Sequence, residues 1–563
     1  MSGMWKGMLV GLAGVIGTMV WAPRVDAAQC ADLNNDGKIT IADAVKLIQA
    51  VGGAPNPADC GGQGTLQCGD LDASGGLGVS DVVIILAQLS GNPTLFPLCQ
   101  GAGNTIACSA GKATVSGSVS TTQVWSTACP IYVNGLTFVQ PGVTVTIQPG
   151  ATVVGQDPPT ANGGPSNVSA LIFLRGSKIN AQGTPAAPIV MTSSHHFESN
   201  NGAPGDWGGL SLNGKAPVNC PGGECLAEGL NGVSFGGTNP NDSSGILEYV
   251  RVEFSGKELS PDNELNIITH NGVGRGTVED HVQANVGFDD CLEWFGGTVD
   301  GKFMVASGCG DDLFDTQLGT IGRYQYYLGL YNNPWMQNLG NNGFEWDNNE
   351  NGFDLLPRNA PKVCNVTLIG TQAQTNAINE NTEQASNFRR GTAGVVANAL
   401  LMNFRNSGIA VSDNATAASA CVDSTHLKAG GLLFQHSLLF NNGNDTGGPL
   451  AFKGNWTTPC TVAQWWAQLP AVQPTTAASN GTNPNVPVIY GTGAGTQYTD
   501  LNQFIPAGGS PGVATEPLVN SLAMDCKAID PTFFDTTSYV GAFRPGDPAA
   551  NWLSSPWINF HIN

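Results

Sequence analysis

The stretch GFDDCLEWFGG, Gly287–Gly297, decides the fold because its centre recurs twice further along the chain. DDCLE at Asp289–Glu293 is followed by DDLFD at Asp311–Asp315 and by NNGFE at Asn341–Glu345. Each copy has paired Asp or Asn, a spacer, an apolar residue and a carboxylate. Recurrence at about one coil length predicts a solenoid in which equivalent residues of successive coils stack.

The alternation of side chains along a strand assigns a face to each repeated residue. The apolar residue of each copy is predicted to stack inside the coils, and the carboxylate one position later is predicted to stack outside. The inner set is Leu292, Phe314 and Phe344, and the outer set is Glu293, Asp315 and Glu345.

From about Ala113 onward, short β-branched runs alternate with Gly, Asn and Pro, and no long amphipathic helix interrupts them. This texture predicts an all-β domain. Its coils resemble the right-handed parallel β-helix, the pectin-lyase-like fold. Four further motifs stand out: PGDWGG (Pro204–Gly209), GRGTVEDHVQ (Gly274–Gln283), DNNEN (Asp347–Asn351) and GAFRPG with NWL and W (Gly541–Trp557). Through them the chain, from roughly Gly135 to the C-terminus, also resembles an uncharacterised family of secreted bacterial β-helix proteins, which implies a fold and a secreted location but no activity.

The N-terminus has the pattern of an export signal: Lys6, an apolar run from Gly7 to Trp21, and a small-residue cleavage site at Val25–Ala27. The alternative, an uncleaved anchor, is disfavoured because the run is shorter than the ~20 residues that a membrane span needs. No later stretch is apolar enough to span a bilayer. We therefore expect a secreted protein, extracellular or on the outer cell surface, without a transmembrane segment after signal removal.

Two acidic loops follow the signal, each at the spacing by which a 12-residue loop wraps Ca²⁺. The first precedes a helix, Ala42–Val51, whose residues Ala44, Val45, Leu47 and Ile48 are predicted to face a core. Residues Cys30–Cys99 resemble the dockerin type I module, which implies two Ca²⁺ sites and a cohesin-like partner. A calcium-stiffened domain without a partner is the alternative. The predicted ligands are Asp32, Asn34, Asp36, Lys38 and Asp43 in the first loop, and Asp70, Asp72, Ser74 and Asp81 in the second.

The 14 cysteines, an even number, are typical of an oxidising compartment. Proximity in sequence suggests their pairing, although it does not prove the connectivity. The suggested pairs are Cys30 with Cys60, Cys68 with Cys99, Cys108 with Cys129, Cys220 with Cys225, Cys291 with Cys309, Cys364 with Cys421, and Cys460 with Cys526.

Composition and charge narrow the possible partners. The net charge of −21 argues against nucleic acid or an anionic membrane surface and favours cations. We predict a mainly β protein: a right-handed parallel β-helix with a small α-helical, EF-hand-like N-terminal domain and a C-terminal capping segment. The predicted boundaries are 1–27 for the signal peptide, 28–105 for the dockerin-like domain, 106–450 for the β-helix and 451–563 for the capping region.

Three interpretations of the repeated acidic corner stay open. Its Asp and Asn side chains can bond neighbouring backbone N–H groups and stack as a structural ladder. Its oxygens can instead bind Ca²⁺, which could also bridge an acidic polysaccharide. The candidate metal ligands are Asp289, Asp311, Asp315 and Glu345.

The third interpretation is catalytic cleavage of a polysaccharide, with Asp290, Glu293 and Asp312 as candidate residues. DDCL at Asp289–Leu292 is similar to the Asp-Asp-Cys element of polygalacturonases, but Gly308–Gly310 lacks the histidine that this family carries one coil later. A lyase would need a Lys or Arg base, for which Lys302, Arg323 and Lys362 are candidates on one neighbouring face.

The leading hypothesis is a secreted calcium-binding β-helix protein that binds or scaffolds extracellular polysaccharide or envelope material. The alternative is a polysaccharide lyase or glycoside hydrolase acting in the groove of the β-helix. Outward-facing aromatic rings could stack on sugars in either case. The aromatic candidates are Tyr324, Tyr326, Tyr327, Tyr331 and Trp335.

Overall fold

A computed structural model describes the chain in two compact units, Met1–Ala102 and Gly103–Asn563. The domain boundaries predicted from the sequence stay predictions. No helix in the described part of the chain is long and apolar enough to cross a membrane. The described residues are 33, 40–52, 82, 85–86, 104–156, 168–260, 263–331, 342–371, 383–443, 452–454, 456–470, 473–475, 486, 500–506 and 522–560.

The first unit is described mainly by helix α1, Ile41–Val51. Thr40 caps it, because its hydroxyl accepts a hydrogen bond from the Ala42 N–H at 3.2 Å. Ala44 and Leu47 are buried as predicted. The prediction for the two other apolar positions is wrong: Val45 and Ile48 are 47% and 53% exposed. They occupy the stripe beside the buried one, because successive residues turn by about 100° around a helix.

The remaining elements follow in chain order, and nearly all of them are strands. The short α-helices are α2 Ser194–Ser199, α3 Asn414–Ala420 and α4 Val462–Trp466, and the 3₁₀ turns are Pro221–Gly223, Leu501–Phe504, Cys526–Ala528 and Pro548–Ala550. The strands are β1 Asn104–Thr105, β2 Ala113–Val119, β3 Gln123–Trp125, β4 Ile131–Val139, β5 Thr144–Ile147, β6 Thr152–Gly155, β7 Ala170–Phe173, β8 Lys178–Gln182, β9 Ile189–Ser193, β10 Leu210–Asn213, β11 Cys225–Leu226, β12 Ser234–Phe235, β13 Gly245–Ser255, β14 Lys257–Ser260, β15 Asn263–Leu265, β16 Ile268–Asn271, β17 Val278–Gly287, β18 Leu292–Phe295, β19 Asp300–Ser307, β20 Phe314–Gln317, β21 Arg323–Leu330, β22 Asn342–Asp347, β23 Lys362–Ile369, β24 Gln384–Arg389, β25 Gly394–Met402, β26 Ile409–Val411, β27 Cys421–Asp423, β28 His426–Leu427, β29 Leu432–Gln435, β30 Leu438–Phe440, β31 Phe452–Gly454 and β32 Gln473–Thr475.

Parallel pairing between successive coils organises these strands into a β-helix, as predicted. One column runs β7, β10, β16, β18, β20, β22, β24 and β26. A second column is built from the long strands β13, β17, β19, β21, β23 and β25. Inward side chains of both columns form one continuous apolar core, in which Leu292, Met304 and Phe314 are fully buried.

Each long strand bends at a residue in the left-handed region of backbone conformation, which non-glycine residues seldom adopt. These residues stack from coil to coil, and the aromatic ones stack ring on ring. The ring centroid of His281 lies 4.3 Å from that of Tyr249 and 4.4 Å from that of Phe303. The ring centroids of Phe303 and Tyr326 are 4.8 Å apart. The column therefore forms a corner of the β-helix. Its members are Tyr249, His281, Phe303, Tyr326, Asn365, Asn398 and His436.

The C-terminal strap, residues 522–560, covers the outer face of the long strands. Outward side chains such as Leu328 and Leu400 pack against Phe543 and Trp557 of the strap. Polar residues of the coils bond its backbone: Gln283 contacts Asn559 through two hydrogen bonds, of 2.6 and 2.9 Å. The strap therefore lies along the side of the coils, whereas the sequence predicts a cap over the last coil for all of 451–563.

The end of the core is covered by residues 456–470 instead. Trp456 and Trp465 join the apolar core cluster, and the indole N–H of Trp465 donates to the Leu432 carbonyl at 3.2 Å. Helix α4 begins with a capping box formed by Thr461 and Gln464. This segment performs the edge-covering role that a solenoid end requires.

Disulfides link coils to each other and to the strap. Cys108–Cys129, Cys220–Cys225 and Cys291–Cys309 form as the sequence suggests. The other two suggested pairs are wrong, because Cys364 bonds Cys526 and Cys421 bonds Cys460. The strap brings Cys526 back to β23 across 162 residues, so proximity in sequence misassigns it. Cys30, Cys60, Cys68 and Cys99 lie outside the described residues.

Candidate metal site on the acidic ladder

The repeated carboxylates stack in the predicted register. Glu293 of β18 pairs with Asp315 of β20, which pairs with Glu345 of β22. The inner residues Leu292, Phe314 and Phe344 align in the same way. We call Asp289, Asp290, Glu293, Asp311, Asp312, Asp315 and Glu345 the acidic ladder.

The turn before each strand adds the paired aspartates. Asp290 accepts a hydrogen bond from the Asp312 N–H at 2.8 Å, and Asp312 accepts one from the Asn342 N–H at 2.5 Å. Backbone bonds from Cys291 to Asp312 and from Leu313 to Asn342 hold the same turns in line. The structural ladder considered for these residues therefore exists, and one oxygen of Asp290 and one of Asp312 take part in it.

The ladder carboxylates on β18, β20 and β22 lie on the outer face of their sheet, yet they are buried. Glu293, Asp315 and Glu345 are 3%, 8% and 7% exposed. Beside it lies an insert, residues 216–237, whose apolar side chains pack on Phe295 and on the outer face of β7. Burial, followed by the Glu264, Asp315 and Glu350 carboxylates, raises the pKa of Glu228 in the insert to about 7, which places Glu228 near the ladder.

Three carboxylates converge at the centre of the ladder. Asp290, Asp312 and Asp315 each offer an oxygen, and these oxygens lie within 4.8 Å of one another. A second group, Asp289, Asp290 and Asp311, shares Asp290. Within the described residues, Oδ1 of Asp315 and Oδ1 of Asp311 are buried without a hydrogen-bond partner. A hard cation that binds oxygen ligands fits this donor set.

Burial and mutual repulsion disfavour the charged forms of these groups. Burial, followed by the neighbouring Asp312 carboxylate, raises the pKa of Asp290 well above its ordinary value. Burial raises the pKa of Asp315 to about 7, although the Arg389 guanidinium opposes the shift. The pKa of Glu293 is also raised well above its usual range, by burial and then by Asp315. Without a bound cation, the positive charge beside the ladder is therefore too small to keep all of its carboxylates ionised.

Arg389 and Arg390 are the cations beside the ladder, and the sequence analysis missed both. Arg389 contacts Glu345 through its terminal nitrogen and Asp347 through Nε at 2.7 Å. Arg390 contacts Asp347 at 2.7 Å. Burial, and then the charge of Arg390, lowers the pKa of Arg389. The register pairs Arg389 with Asp347 one coil earlier, so a search for a degenerate fourth copy of the repeat could have found it.

The structure redistributes the candidate roles within the ladder. Asp290 and Asp312, predicted as catalytic, join Asp315 in the more deeply buried group, while Asp289 and Asp311 belong to the second group. Glu345 is bonded to Arg389 and to the Asn342 amide, and Glu293 accepts from the Asn266 and Gln317 amides. A hydrolytic pair needs carboxyl groups ~5 Å or more apart around an accessible bond. Asp290 and Asp312 are only 6% and 4% exposed, so this geometry does not favour hydrolysis there.

The residues considered as a lyase base serve another purpose. Lys302 pairs with Asp535, Arg323 with Asp300 and Asp530, and Lys362 with Asp530. They hold the strap and do not adjoin β18, β20 or β22. Arg323 and Lys362 align between neighbouring strands, but Lys302 aligns with Gln325, so the three do not form one column.

The aromatic residues proposed for sugar stacking are buried. Tyr324, Tyr327 and Tyr331 are at most 1% exposed, and Tyr326 is 8% exposed at the corner under the strap. Trp335 lies outside the described residues. Stacking on an external sugar is therefore not available to these four tyrosines.

Among the predicted ligands of the N-terminal loops, the structure describes only Asp43. It lies in the first turn of α1, where it accepts a hydrogen bond from the Thr40 N–H at 2.7 Å. The other predicted ligands lie outside the described residues: Asp32, Asn34, Asp36, Lys38, Asp70, Asp72, Ser74 and Asp81.

Together, the stacked coils and their carboxylate ladder define a parallel β-helix protein with a candidate cation site. A family model for a pectate-lyase like beta helix domain matches residues 117–487, more than half of the chain. The chain belongs to this family. No curated protein matches the chain, and no solved structure does.

Proposed function

We propose that this chain is an exported calcium-binding β-helix protein that binds or scaffolds acidic extracellular polysaccharide. The observation that carries the proposal is the convergence of Asp290, Asp312 and Asp315, together with a buried oxygen on Asp315 that has no hydrogen-bond partner among the described residues. Ca²⁺ takes six to eight oxygen ligands and compensates clustered carboxylates. The pectate-lyase-like family supports a role connected with polysaccharide.

The two groups of carboxylates differ in solvent exposure, and we infer a different role for each. The deeper group, with Asp312 and Asp315, would hold a cation that ties neighbouring coils together. Asp289 and Asp311 are only partly buried, so a cation held there could also take carboxylate oxygens from a uronate polymer. The N-terminal loops would bind further Ca²⁺ and dock the chain onto a cohesin-like partner.

Calorimetric titration with Ca²⁺ tests the cation site. A chain carrying Asp32→Ala and Asp70→Ala, which disable the two N-terminal loops, should still bind Ca²⁺, and adding Asp315→Asn should remove the part of that binding that belongs to the group of Asp290, Asp312 and Asp315. Asp354→Asn is the matched control, because Asp354 pairs with Arg358 on the surface and lies outside both carboxylate groups. Equal heats before and after Asp315→Asn would refute the site.

Binding of polymers tests the second half of the proposal. Polyuronates should be retained by the immobilised chain in the presence of Ca²⁺ and released by a chelator, and neutral glucans should not be retained. If the chain retains polyuronates without Ca²⁺, or when Asp289 and Asp311 are substituted, then it binds the polymer through a surface other than the cation site.

A polysaccharide lyase is the second candidate, and Arg389 is the observation that favours it. Its guanidinium lies beside the ladder, it is 34% exposed, and its pKa is lowered by burial and by Arg390. In β-elimination a base removes the proton next to the uronate carboxylate, the bond to the leaving sugar oxygen breaks, and a carbon–carbon double bond forms. Ca²⁺ on the ladder would neutralise the uronate.

Ultraviolet absorbance of the unsaturated product measures this reaction directly. A lyase should generate it from polyuronates with Ca²⁺ and lose it in Arg389→Lys, while Lys302→Arg, a change at the strap, should leave the rate unaltered. Unchanged polymer across a panel of acidic and neutral glycans, with and without Ca²⁺, would remove the enzyme alternative.

A further inference from the structure

Two residues on neighbouring coils have a backbone conformation that their side chains disfavour. Arg390, directly after β24, has φ 51°, and Asp413, directly before α3, has φ 58° with ψ 153°. Residues other than glycine seldom adopt a positive φ, and the conformation of Asp413 is close to one that is almost restricted to glycine. Such strain persists only where surrounding contacts enforce it, and it is concentrated at functional sites. The contacts of Arg390 and Asp413 therefore indicate what the strain serves.

The turn at Arg390 changes the direction of its side chain. Consecutive side chains of a strand point to opposite faces, so a continued strand would send Arg390 into the core, as it does the fully buried Phe388. Instead, Arg389 and Arg390 both contact Asp347 of the preceding coil, each at 2.7 Å. The left-handed turn therefore brings two guanidinium groups to one carboxylate beside the acidic ladder.

Asp413 holds this turn through both of its carboxylate oxygens. Oδ2 accepts a hydrogen bond from the Arg390 N–H at 2.5 Å, and Oδ1 accepts one from the Thr416 N–H at 2.7 Å. The Thr416 hydroxyl in turn accepts a hydrogen bond from the Gly391 N–H at 2.8 Å. Asp413 and Thr416, at the start of α3, thus accept the N–H groups of both residues in the turn.

Capping of α3 alone does not explain this arrangement. A helix N-cap needs only one side-chain oxygen, which asparagine, serine or threonine also supplies, and its backbone is typically extended. Thr461, the N-cap of α4, has this ordinary geometry with φ −82° and ψ 161°. The second oxygen of Asp413 and its positive φ are instead accounted for by the bond to the Arg390 N–H.

We propose that Asp413 is a positioning residue, which holds Arg390 on Asp347 so that the charge of Arg390 opposes cation binding at the acidic ladder. This inference rests on the proposed function, because it concerns the calcium site of the ladder. Arg390 directly follows β24, which lies two strand spacings, about 10 Å, from the strand of Asp315. A fixed positive charge at that distance weakens Ca²⁺ binding, whereas a side chain released into solvent has a smaller effect.

A double-mutant cycle in Ca²⁺ affinity tests the proposal, with calorimetry on the full chain carrying Asp32→Ala and Asp70→Ala. Arg390→Gln should raise the affinity roughly fivefold when Asp413 is present. In the Asp413→Asn background, Arg390→Gln should raise it by less than about twofold, because the guanidinium is no longer held. The cycle cancels the effect of the Asp413 charge itself. Equal factors in the two backgrounds would overturn the proposal.

The choice of variant separates positioning from helix capping. Asparagine caps a helix as well as aspartate does, but its NH₂ group cannot accept the hydrogen bond from the Arg390 N–H. Asp413→Ser also keeps one capping oxygen, so it should give the same result and replaces Asp413→Asn if that variant does not fold. Asp354→Asn is the matched control, because Asp354 pairs with Arg358 on the surface, and the effect of Arg390→Gln should be unchanged in that background.

A crystal structure of Asp413→Asn without Ca²⁺ tests the positioning independently of the calcium site. We expect Arg390 to leave the left-handed region and its guanidinium to leave Asp347, while Arg389 stays in register with Asp347. An unchanged contact between Arg390 and Asp347 would overturn the proposal even where the ladder binds Ca²⁺. If the chain with both loops disabled binds no Ca²⁺, the proposed function fails, and the effect of Arg390 on cation binding fails with it.

Discussion

Removing one charge from the acidic ladder should reduce the calcium response of the β-helix. The substitution is Asp315→Asn, which keeps the shape of the side chain. Its carboxylate oxygen lies within 4.8 Å of those of Asp290 and Asp312. At an effective dielectric of about 20, two unit charges at that distance repel by roughly 3.5 kcal/mol. Full ionisation would therefore cost about 7 kcal/mol or more at Asp315 alone, which proton uptake or Ca²⁺ must relieve.

Calcium binding converts this relief into stability. At a Ca²⁺ concentration about 100 times the dissociation constant, the folded state gains about 2.7 kcal/mol. For a unit of the length of Gly103–Asn563, the entropy of unfolding is about 1 kcal/mol per degree. The gain in stability should therefore raise the midpoint of thermal unfolding by about 3 °C. In Asp315→Asn the rise should be less than about 1 °C, while the calcium-free protein should become more stable because repulsion is removed.

Tryptophan fluorescence is the appropriate assay because it observes the second unit alone. Once the predicted signal with Trp5 and Trp21 is removed, every tryptophan of the chain lies beyond residue 102. Unfolding should be followed in chelator and in Ca²⁺ for both proteins, with Asp354→Asn as control. The same calcium-induced rise in wild type and Asp315→Asn would refute the reasoning.

Further predictions address other parts of the molecule. Glu383 is 1% exposed, and burial raises its pKa to about 7. The folded state therefore favours the neutral form, so about 3 kcal/mol of the free energy of unfolding is lost as the pH rises from about 4.5 through 7. Glu383→Gln should flatten that part of a curve of stability against pH. Arg389→Gln should raise the affinity of the ladder for Ca²⁺ by roughly tenfold in calorimetry, since it removes a nearby positive charge, and a weaker affinity would contradict this placement of Arg389. Gly310→Ala should prevent folding, because its Cβ would lie 1.8 Å from the Phe288 carbonyl oxygen; near-native circular dichroism would count against that contact. Removing the disulfide with Cys364→Ser and Cys526→Ser should expose residues 522–560 to limited proteolysis without unfolding the coils. Equal protection of the strap in the variant and the wild type would show that its polar and apolar contacts hold it without the disulfide.

The β-helix was predictable because its sequence signal is local and repeated. Paired aspartates, an apolar residue and a carboxylate at one-coil spacing fixed both the stacking and the face of Leu292 and Glu293. Strand alternation needs no knowledge of distant residues. The register from Glu293 through Asp315 to Glu345 therefore follows from the order of the residues alone.

The surroundings of the ladder were not predictable in the same way. The insert beside Asp315 lies 78 or more residues earlier in the chain, and the compensating Arg389 comes from a coil whose copy of the repeat is degenerate. The pairing of Cys364 with Cys526 depends on the path of the strap. These contacts join segments that are distant in sequence and share no repeated pattern, so neither spacing nor composition indicates them.

The strap also limits how this solenoid can change in length. Repeat proteins commonly gain or lose whole units, since each unit contacts only its neighbours. Here one continuous segment bonds Asn398 through Met524, Gln325 through Asp535, and Gln283 through Asn559. A coil added or deleted between Gln283 and Asn398 would misplace these attachments by one strand spacing, ~4.8 Å. The number of coils in this region is therefore tied to the length of the segment that runs alongside them.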